Sequence, residues 1–104
     1  MNTLGKIFGN STHLKLLNIF YNDRKSFYNL SELARMISKS AVTTRKGISD
    51  LVDADILGIE KMSEVCVVYL KMDGKYTEGL ISMIDKIQTL DEGDVVKELI
   101  ARRQ

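Results

Sequence analysis

Apolar positions in the first third of the chain recur at helical spacing and predict two consecutive helices. The first begins at Asn10 or Ser11, since both are good N-cap residues, and ends near residue 21. The second begins at Asn29, because Asn29 and Glu32 have the spacing of a capping box. A polar break at residues 22–26 separates the two helices.

A tight polar turn at Ser38–Ser40 leads into a third helix, for which Ser40 is the natural N-cap. This helix extends to about Asp53. The residues predicted on its core face are Ala41, Thr44, Ile48, Leu51 and Val52. Two helices joined by so short a turn cross steeply, which leaves the second protruding from the domain. The pattern therefore predicts a helix-turn-helix.

Two short strands are predicted after the third helix. They are Gly58–Met62 and the valine-rich segment Val65–Met72, joined by the two-residue turn Ser63–Glu64. The apolar residues Phe27 and Tyr28 are a candidate for one further strand of only two residues. A hairpin in this position forms a wing. The only basic residue near its tip is Lys61, so we expect the wing to bind a polyanion such as DNA weakly.

The C-terminal part of the chain is predicted to be helical at residues 74–90 and 95–103, with an interruption at Asp91–Asp94. Apolar residues at heptad spacing predict a seam for a second copy of the chain. The predicted dimer-interface residues are Tyr76, Leu80, Met83, Ile84, Ile87 and Leu90. The alternative is that this face packs within one chain.

These elements predict a mainly α chain of the α+β type: a winged helix-turn-helix with a three-helix core, a two-stranded β-wing and a C-terminal dimerisation helix. Residues 1–72 are predicted to form the DNA-binding domain and residues 73–104 the helical dimerisation segment. A chain of 104 residues suffices for one hydrophobic core. No apolar run is long enough to span a membrane, no signal-peptide pattern opens the chain, and the single cysteine fits a reducing compartment. We therefore expect a cytoplasmic protein.

The distribution of charge is more informative than the formal net charge of +1. Residues 24–49 contain six basic residues and one acidic residue, whereas residues 50–70 contain five acidic residues and one basic residue. A surface that faces phosphates needs a local positive excess of this kind. The alternative is a chance fluctuation on a solvated face.

The exposed side of the third helix is predicted to be basic and hydroxylated in its first half and acidic in its second. A recognition helix places its N-terminal residues in the major groove, where cations and hydroxyl groups donate to bases or phosphates and valine meets a thymine methyl. The predicted DNA-contacting residues are Arg35, Lys39, Ser40, Val42, Thr43, Arg45, Lys46, Ser49 and Lys61. The alternative is an ordinary surface helix in which Lys46 and Asp50 form an i,i+4 ion pair.

Two parts of the sequence resemble a known family. Residues 4–17, LGKIFGNSTHLKLL, are similar to the opening of a group of archaeal winged-helix proteins. Leu33–Ala34, Ser40–Thr43 and Leu51 resemble the helix-turn-helix of that group. The resemblance covers residues 4–70 and has the element order of ArsR-like and MarR-like regulators. It implies a transcriptional regulator that binds duplex DNA as a dimer.

Four positions depart from the family pattern. His13 stands where arginine is usual, and Thr44 stands where an apolar residue is usual. Asp55 replaces a glycine, but aspartate tolerates the left-handed conformation that the turn needs. Gly47 lies inside the recognition helix, at a cost of about 1 kcal/mol relative to alanine. Either Gly47 permits another part of the chain to approach the helix closely, or it is a tolerated substitution without a structural role.

The residues that metal sensing or catalysis requires are not recognisable. One cysteine and one histidine, Cys66 and His13, cannot build a thiolate site, so neither a metal nor a cofactor is predicted. Cys66 is expected to be a small core residue of a strand, and His13 a surface residue. Because no nucleophile–base pair or glycine-rich phosphate loop stands out, we do not expect an enzyme.

The sequence therefore predicts a regulator that binds double-stranded DNA sequence-specifically as a homodimer, with residues 40–53 as the recognition helix. The alternative is a winged helix that binds another protein or forms a subunit of a larger assembly. The low net charge and the weakly basic wing favour that alternative.

Overall fold

The computed structural model describes the backbone of residues 3–103 and the side chains of residues 3–93. The helices are α1 (Thr3–Phe8), α2 (Thr12–Asn22), α3 (Leu30–Ile37), α4 (Ala41–Asp53) and α5 (Thr77–Arg103), and the strands are β1 (Leu57–Met62) and β2 (Val65–Leu70). This order confirms the predicted α+β class. Within the described part of the chain, no helix is long and apolar enough to cross a membrane.

Side-chain caps set the start of the three central helices. The Ser11 hydroxyl accepts the Leu14 N–H at 3.1 Å, so Ser11 is the cap of α2. The Asn29 side chain accepts the Glu32 N–H, and the Glu32 carboxylate accepts the Asn29 N–H, which confirms the capping box of α3. Ser40 caps α4 as predicted.

The turn between α3 and α4 holds the two helices close together. Ser38 is left-handed, with φ of 58°, and the Lys39 N–H donates to the Ala34 carbonyl at 3.0 Å. From α2, the Lys15 ammonium group lies 3.3 Å from the Ile37 carbonyl, where it faces the negative end of the α3 dipole. The predicted tight turn is confirmed.

The hydrophobic core lies where α2, α3 and α4 meet the sheet. Leu16, Phe20 and Leu33 are 0% exposed and Leu57 is 1% exposed. Burying one such side chain contributes ~1.5–3 kcal/mol. Packing of these residues therefore stabilises the three-helix arrangement more than helix propensity does.

The packing face of α4 differs at one end from the predicted face. Its buried residues are Thr44, Gly47, Ile48 and Leu51. Ala41, predicted in the core, is exposed because the first turn of α4 extends past the core edge. A Cβ atom at Gly47 would lie 2.8 Å from Thr12 Cγ2 and 3.2 Å from Leu16 Cδ1. Gly47 therefore permits a close approach of α2 and α4.

Two other departures from the family pattern are accommodated locally. Thr44 is 0% exposed, and its hydroxyl donates to the Ser40 carbonyl at 2.8 Å, so its polar group is satisfied inside the core. Asp55 has φ of 64°, which confirms the predicted left-handed conformation.

The two strands form the predicted hairpin. They pair antiparallel with Met62 opposite Val65, so Ser63 and Glu64 form the two-residue turn. β1 begins one residue earlier than predicted, and β2 ends two residues sooner. Tyr28 forms a single antiparallel β-bridge to Val68 of β2, which confirms the short extended segment expected at Phe27–Tyr28.

Cys66 is exposed, so the expectation of a core position was wrong. It lies opposite Lys61 near the tip of the hairpin. Residues 65 and 66 are exposed, and burial in β2 begins only at residue 67. The outer half of the wing extends beyond the helices, so its side chains have no core to pack against.

The predicted interruption at Asp91–Asp94 is also wrong, since α5 is one helix of 27 residues, about 40 Å long. Glycine and aspartate each disfavour a helix interior by only about 1 kcal/mol or less, which does not end a long helix. Asp91 instead accepts the Thr3 N–H at 3.0 Å and the Thr3 hydroxyl at 2.6 Å, which ties α1 to α5. The side chains of the predicted last segment, 95–103, lie outside the described residues.

Candidate nucleic-acid interface

The outer side of α4 brings together six of the residues predicted to contact DNA. These exposed residues, called the α4 surface below, are Ser40, Val42, Thr43, Arg45, Lys46 and Ser49. Arg35 on α3 and Lys39 in the turn are exposed as well. Val42 is 73% exposed, so an apolar group stands on an otherwise polar and basic surface.

The helix cap orients the hydroxyl groups at the start of α4. The Ser40 hydroxyl accepts the Thr43 N–H at 3.1 Å and donates to Thr43 Oγ1 at 3.0 Å. Because Ser40 is engaged in the cap, Thr43 is the residue whose hydroxyl proton can be donated to a group outside the protein.

Arg45 and Lys46 supply the positive charge of the α4 surface. Among residues 3–93, no carboxylate forms an ion pair with either of them. The alternative Lys46–Asp50 ion pair does not form within residues 3–93, where the Asp50 carboxylate lies 2.8 Å from His13 Nε2 instead. The Lys46 ammonium group is therefore available to a phosphate or a base.

α2 brings His13 to the edge of the α4 surface. The close contact at Gly47 places the first turn of α2 against α4, so His13 reaches Asp50, and the two side chains are 45% and 50% exposed. Sequence reasoning placed His13 at the surface but missed this link, because no local pattern relates residues 37 positions apart.

An ion pair anchors the wing to the end of α4. The Asp55 carboxylate accepts hydrogen bonds from Lys71 Nζ at 2.5 Å and from the Lys75 N–H at 3.2 Å. The hydrogen bond from Lys71 lowers the pKa of the Asp55 carboxyl, and the same bond raises the pKa of the Lys71 ammonium group. Gly74 completes the contact, since a Cβ atom there would overlap the Asp55 carbonyl oxygen.

The wing exposes apolar side chains beside two acidic ones, Glu60 and Glu64. Lys61 is exposed, but it stands on the hairpin and not in the α4 surface. Ile59, Met62 and Val65 are 52%, 53% and 47% exposed. The wing therefore offers few groups that can neutralise a phosphate.

The residues predicted at a dimer interface fall on two sides of α5. Ile84 is 1% exposed and packs inside the chain, and Leu80 and Ile87 are half-buried. The exposed members are Tyr76, Met83 and Leu90. The apolar arc in the sequence is wide enough for both sides, so only the fold could separate them.

Small and flexible residues alternate with these exposed apolar ones. The exposed row, called the α5 stripe below, is Tyr76, Gly79, Met83, Lys86, Leu90 and Gly93. Sequence reasoning missed Gly79, Lys86 and Gly93, because they are not apolar. Their spacing of three and four residues was the signal that could have found them.

The structure assembles no metal site within residues 3–93, where no three His, Cys, Asp or Glu side chains are placed to hold an ion. Cys66 lies on the wing and His13 on the first turn of α2, so the chain's one cysteine and one histidine belong to separate elements.

No family model and no curated protein matches this sequence. Solved structures do match. The RV1404 protein of Mycobacterium tuberculosis aligns with a TM-score of 0.65 over 90% of this chain and 64% of its own, at 15% identity. The adhesin competence repressor AdcR of Streptococcus pyogenes aligns with a TM-score of 0.60 over 91% of this chain and 72% of its own, at 16% identity.

A MarR family transcriptional regulator from Silicibacter pomeroyi aligns with a TM-score of 0.56 over 89% of this chain and 71% of its own, at 21% identity. These likenesses establish the fold. The chain has the winged-helix fold of MarR-type transcriptional regulators, and it spans 64% of the length of the mycobacterial protein. In this fold α4 is the second helix of the helix-turn-helix, and β1 and β2 form the wing.

Proposed function

We propose that this protein is a transcriptional regulator that binds double-stranded DNA sequence-specifically with the α4 surface in the major groove. One observation carries the proposal: two cations without ion-pair partners among residues 3–93 and three hydroxyl residues share the exposed side of one protruding helix. The acidic residues Asp50 and Asp53 follow this surface, so insertion should stop before them.

Each group of the α4 surface has a chemical counterpart in DNA. Arg45 and Lys46 can donate to guanine or to phosphate, the Thr43 hydroxyl can donate to either, and Val42 can meet a thymine methyl. Arg35 and Lys39 extend the positive charge toward the phosphate backbone. The likeness to regulators supports the assignment at the level of the fold.

Selection of bound duplexes from a random pool tests this proposal. One family of sequences should be enriched. In a plot of log affinity against log salt concentration, the slope should be about −1 for each phosphate that the protein neutralises. The variant Arg45→Ala/Lys46→Ala should lose the enriched complex. Lys75→Ala, which removes an exposed cation on the loop before α5, should keep it. No enrichment, or a double variant that binds like the wild type, would overturn the proposal.

The regulator acts as a homodimer in this proposal, with the α5 stripe as its interface. Tyr76 and Leu90 lie seven residues before and after Met83, so two antiparallel copies can place Tyr76 against the partner's Leu90 with Met83 at the two-fold axis. Gly79 and Gly93 have open space where a Cβ atom would stand, which leaves holes for the larger side chains.

The shape of the chain supports a partner along α5. The molecule measures 58 × 28 × 23 Å and has a radius of gyration of 15.8 Å, against about 13 Å for a compact chain of this length. Ile7 and Phe8 on the adjacent α1 are 59% and 51% exposed, which widens the apolar surface. A two-fold dimer would place two α4 helices about 34 Å apart, one turn of DNA.

Sedimentation velocity tests the dimer. Met83→Glu places a charge in the middle of the stripe and should give a folded monomer that binds the selected duplex about 100-fold or more weakly, since affinity from two linked contacts is lost. Thr89→Glu adds the same charge at an exposed position outside the stripe and should remain dimeric. A wild-type monomer, or a dimeric Met83→Glu variant, would contradict the proposed interface.

The tip of the wing favours a second candidate function, the docking of another protein. Met62 and Val65 lie opposite each other on the hairpin and are about half exposed, so together they form a small apolar patch that a protein partner can cover. Mass in solution and salt dependence separate the two functions. A discrete dimer that binds duplex DNA in a salt-sensitive way supports the regulator. A monomer that does not bind duplex DNA supports the protein-docking function.

A further inference from the structure

Asp50 places a negative charge at the edge of the α4 surface. It lies one helical turn after Lys46, on the same side of α4, and its side chain is 50% exposed. A carboxylate in this position repels the phosphates that Lys46 attracts. His13 Nε2, at 2.8 Å, is the partner that the structure gives this carboxylate.

The remaining surroundings of His13 carry little charge. α1 and α5 line the groove beside the imidazole ring with Phe8, Leu80, Met83 and Ile84, and α2 adds a serine and two leucines. On α4, Lys46 and Asp53 lie one turn before and after Asp50. A proton on His13 therefore changes the net charge of the His13–Asp50 pair from −1 to 0.

We infer that His13 couples DNA binding to proton uptake: the imidazolium–Asp50 pair is neutral and admits the DNA backbone, whereas the imidazole–Asp50 pair is negative and repels it. This inference rests on the proposed DNA binding. Nε2 can donate to Asp50 with the ring neutral or protonated, so the hydrogen bond persists and only the charge changes.

The direction of the effect follows from the charge of the ligand. Histidine is the side chain that ordinarily changes charge between pH 5 and 8. DNA is a polyanion and binds the state with one more positive charge more tightly, so affinity rises as the pH falls. One proton permits at most a tenfold change per pH unit. With the screening of a half-exposed pair, we expect about fivefold tighter binding at pH 6 than at pH 8.

Two substitutions separate the charge of His13 from its hydrogen bond. His13→Gln keeps a side-chain N–H for Asp50 but has no charge, so it should bind the selected duplex at every pH as the wild type does at pH 8. His13→Arg keeps the charge at every pH and should bind throughout as the wild type does at pH 6. Fluorescence anisotropy at pH 6, 7 and 8, at one ionic strength, measures both.

Calorimetry in two buffers of different ionisation enthalpy counts the protons taken up on binding. The wild type should take up protons when it binds the duplex, and both variants should take up fewer. His13 is the only histidine in the chain, so the uptake is readily assigned once any affinity tag has been removed.

The outcomes distinguish this inference from the proposed function. Equal wild-type affinity at pH 6 and pH 8, or full pH dependence in His13→Gln, overturns the inference and leaves the DNA-binding proposal intact. If none of the three proteins binds any duplex at any pH, the proposed function and the inference both fail.

Discussion

α4 and the wing protrude from the same core, but they expose different side chains. α4 presents two cations, three hydroxyl residues and one valine. The hairpin presents Ile59, Met62 and Val65, each about half exposed, with Lys61 as its only base. The first surface is suited to a hydrated polyanion, and the second is suited to an apolar contact.

The two regions also differ in how their backbones are held. The first turn of α4 is fixed by the Ser40 cap, and its middle is fixed by the close contact of Gly47 with α2. The wing is anchored at its base by the Asp55–Lys71 pair and along β2 by the bridge from Tyr28 to Val68, while its tip turns through Ser63, a non-glycine residue with φ of 59°. We therefore expect DNA affinity to depend on α4 and to respond little to the wing.

The largest expected difference is between two lysines. Lys46→Ala should weaken binding to the selected duplex about tenfold and reduce the salt slope by about one unit, because one phosphate contact is lost. Lys61→Ala removes the same charge from the wing and should change affinity less than about twofold. Anisotropy titrations at several salt concentrations measure both, and equal losses would break the contrast between helix and wing.

The next effect concerns the cap of α4. Ser40→Ala removes the acceptor of the Thr43 N–H and should lower the free energy of unfolding by about 1 kcal/mol. The control is Ser49→Ala, an exposed interior position of the same helix, where alanine should be neutral or slightly stabilising. Urea denaturation followed by circular dichroism gives both values. An unchanged midpoint for Ser40→Ala would show that the cap does not limit α4.

A smaller effect of opposite sign is expected at the tip of the wing. Ser63→Gly should raise the free energy of unfolding by about 0.5–1 kcal/mol, because glycine adopts a positive φ without the steric cost of a Cβ atom. Glu64 is not among the residues with positive φ, so Glu64→Gly should bring no gain. Thermal denaturation of the two variants tests this, and a stabilising Glu64→Gly would contradict the turn geometry.

The smallest effect concerns the ion pair that joins the two regions. The hydrogen bond from Lys71 lowers the pKa of Asp55 below its unfolded value of about 3.9. The pair therefore stabilises the fold above that pH, and this contribution is lost as the pH falls through the lower pKa of the folded state. Asp55→Asn should show a slightly lower Tm at pH 7 and a shallower decline of Tm below pH 5.

The matched control for this acid sensitivity is Asp53→Asn, at an exposed position two residues earlier. It should retain the wild-type decline of Tm between pH 5 and pH 3. If Asp55→Asn follows the wild-type curve as well, the Asp55–Lys71 pair contributes nothing measurable to the attachment of the wing.

The sequence by itself determined the features whose interactions are local. The caps at Ser11, Asn29 and Ser40 satisfy N–H groups three positions away, so their signal lies in a few consecutive residues. The hairpin turn and the left-handed Asp55 depend on neighbouring backbone angles. The outer side of α4 follows from helical periodicity once its core face is recognised.

The tertiary structure alone decided the features that need a distant partner. Cys66 is exposed because the core ends before the tip of the wing, and Ile84 is inside because α5 turns that side toward the domain. Asp91 is retained within α5 while its carboxylate binds Thr3, 88 positions away. His13 meets Asp50 only because Gly47 lets two helices approach. Periodicity gives the sides of a helix, and packing determines what each side faces.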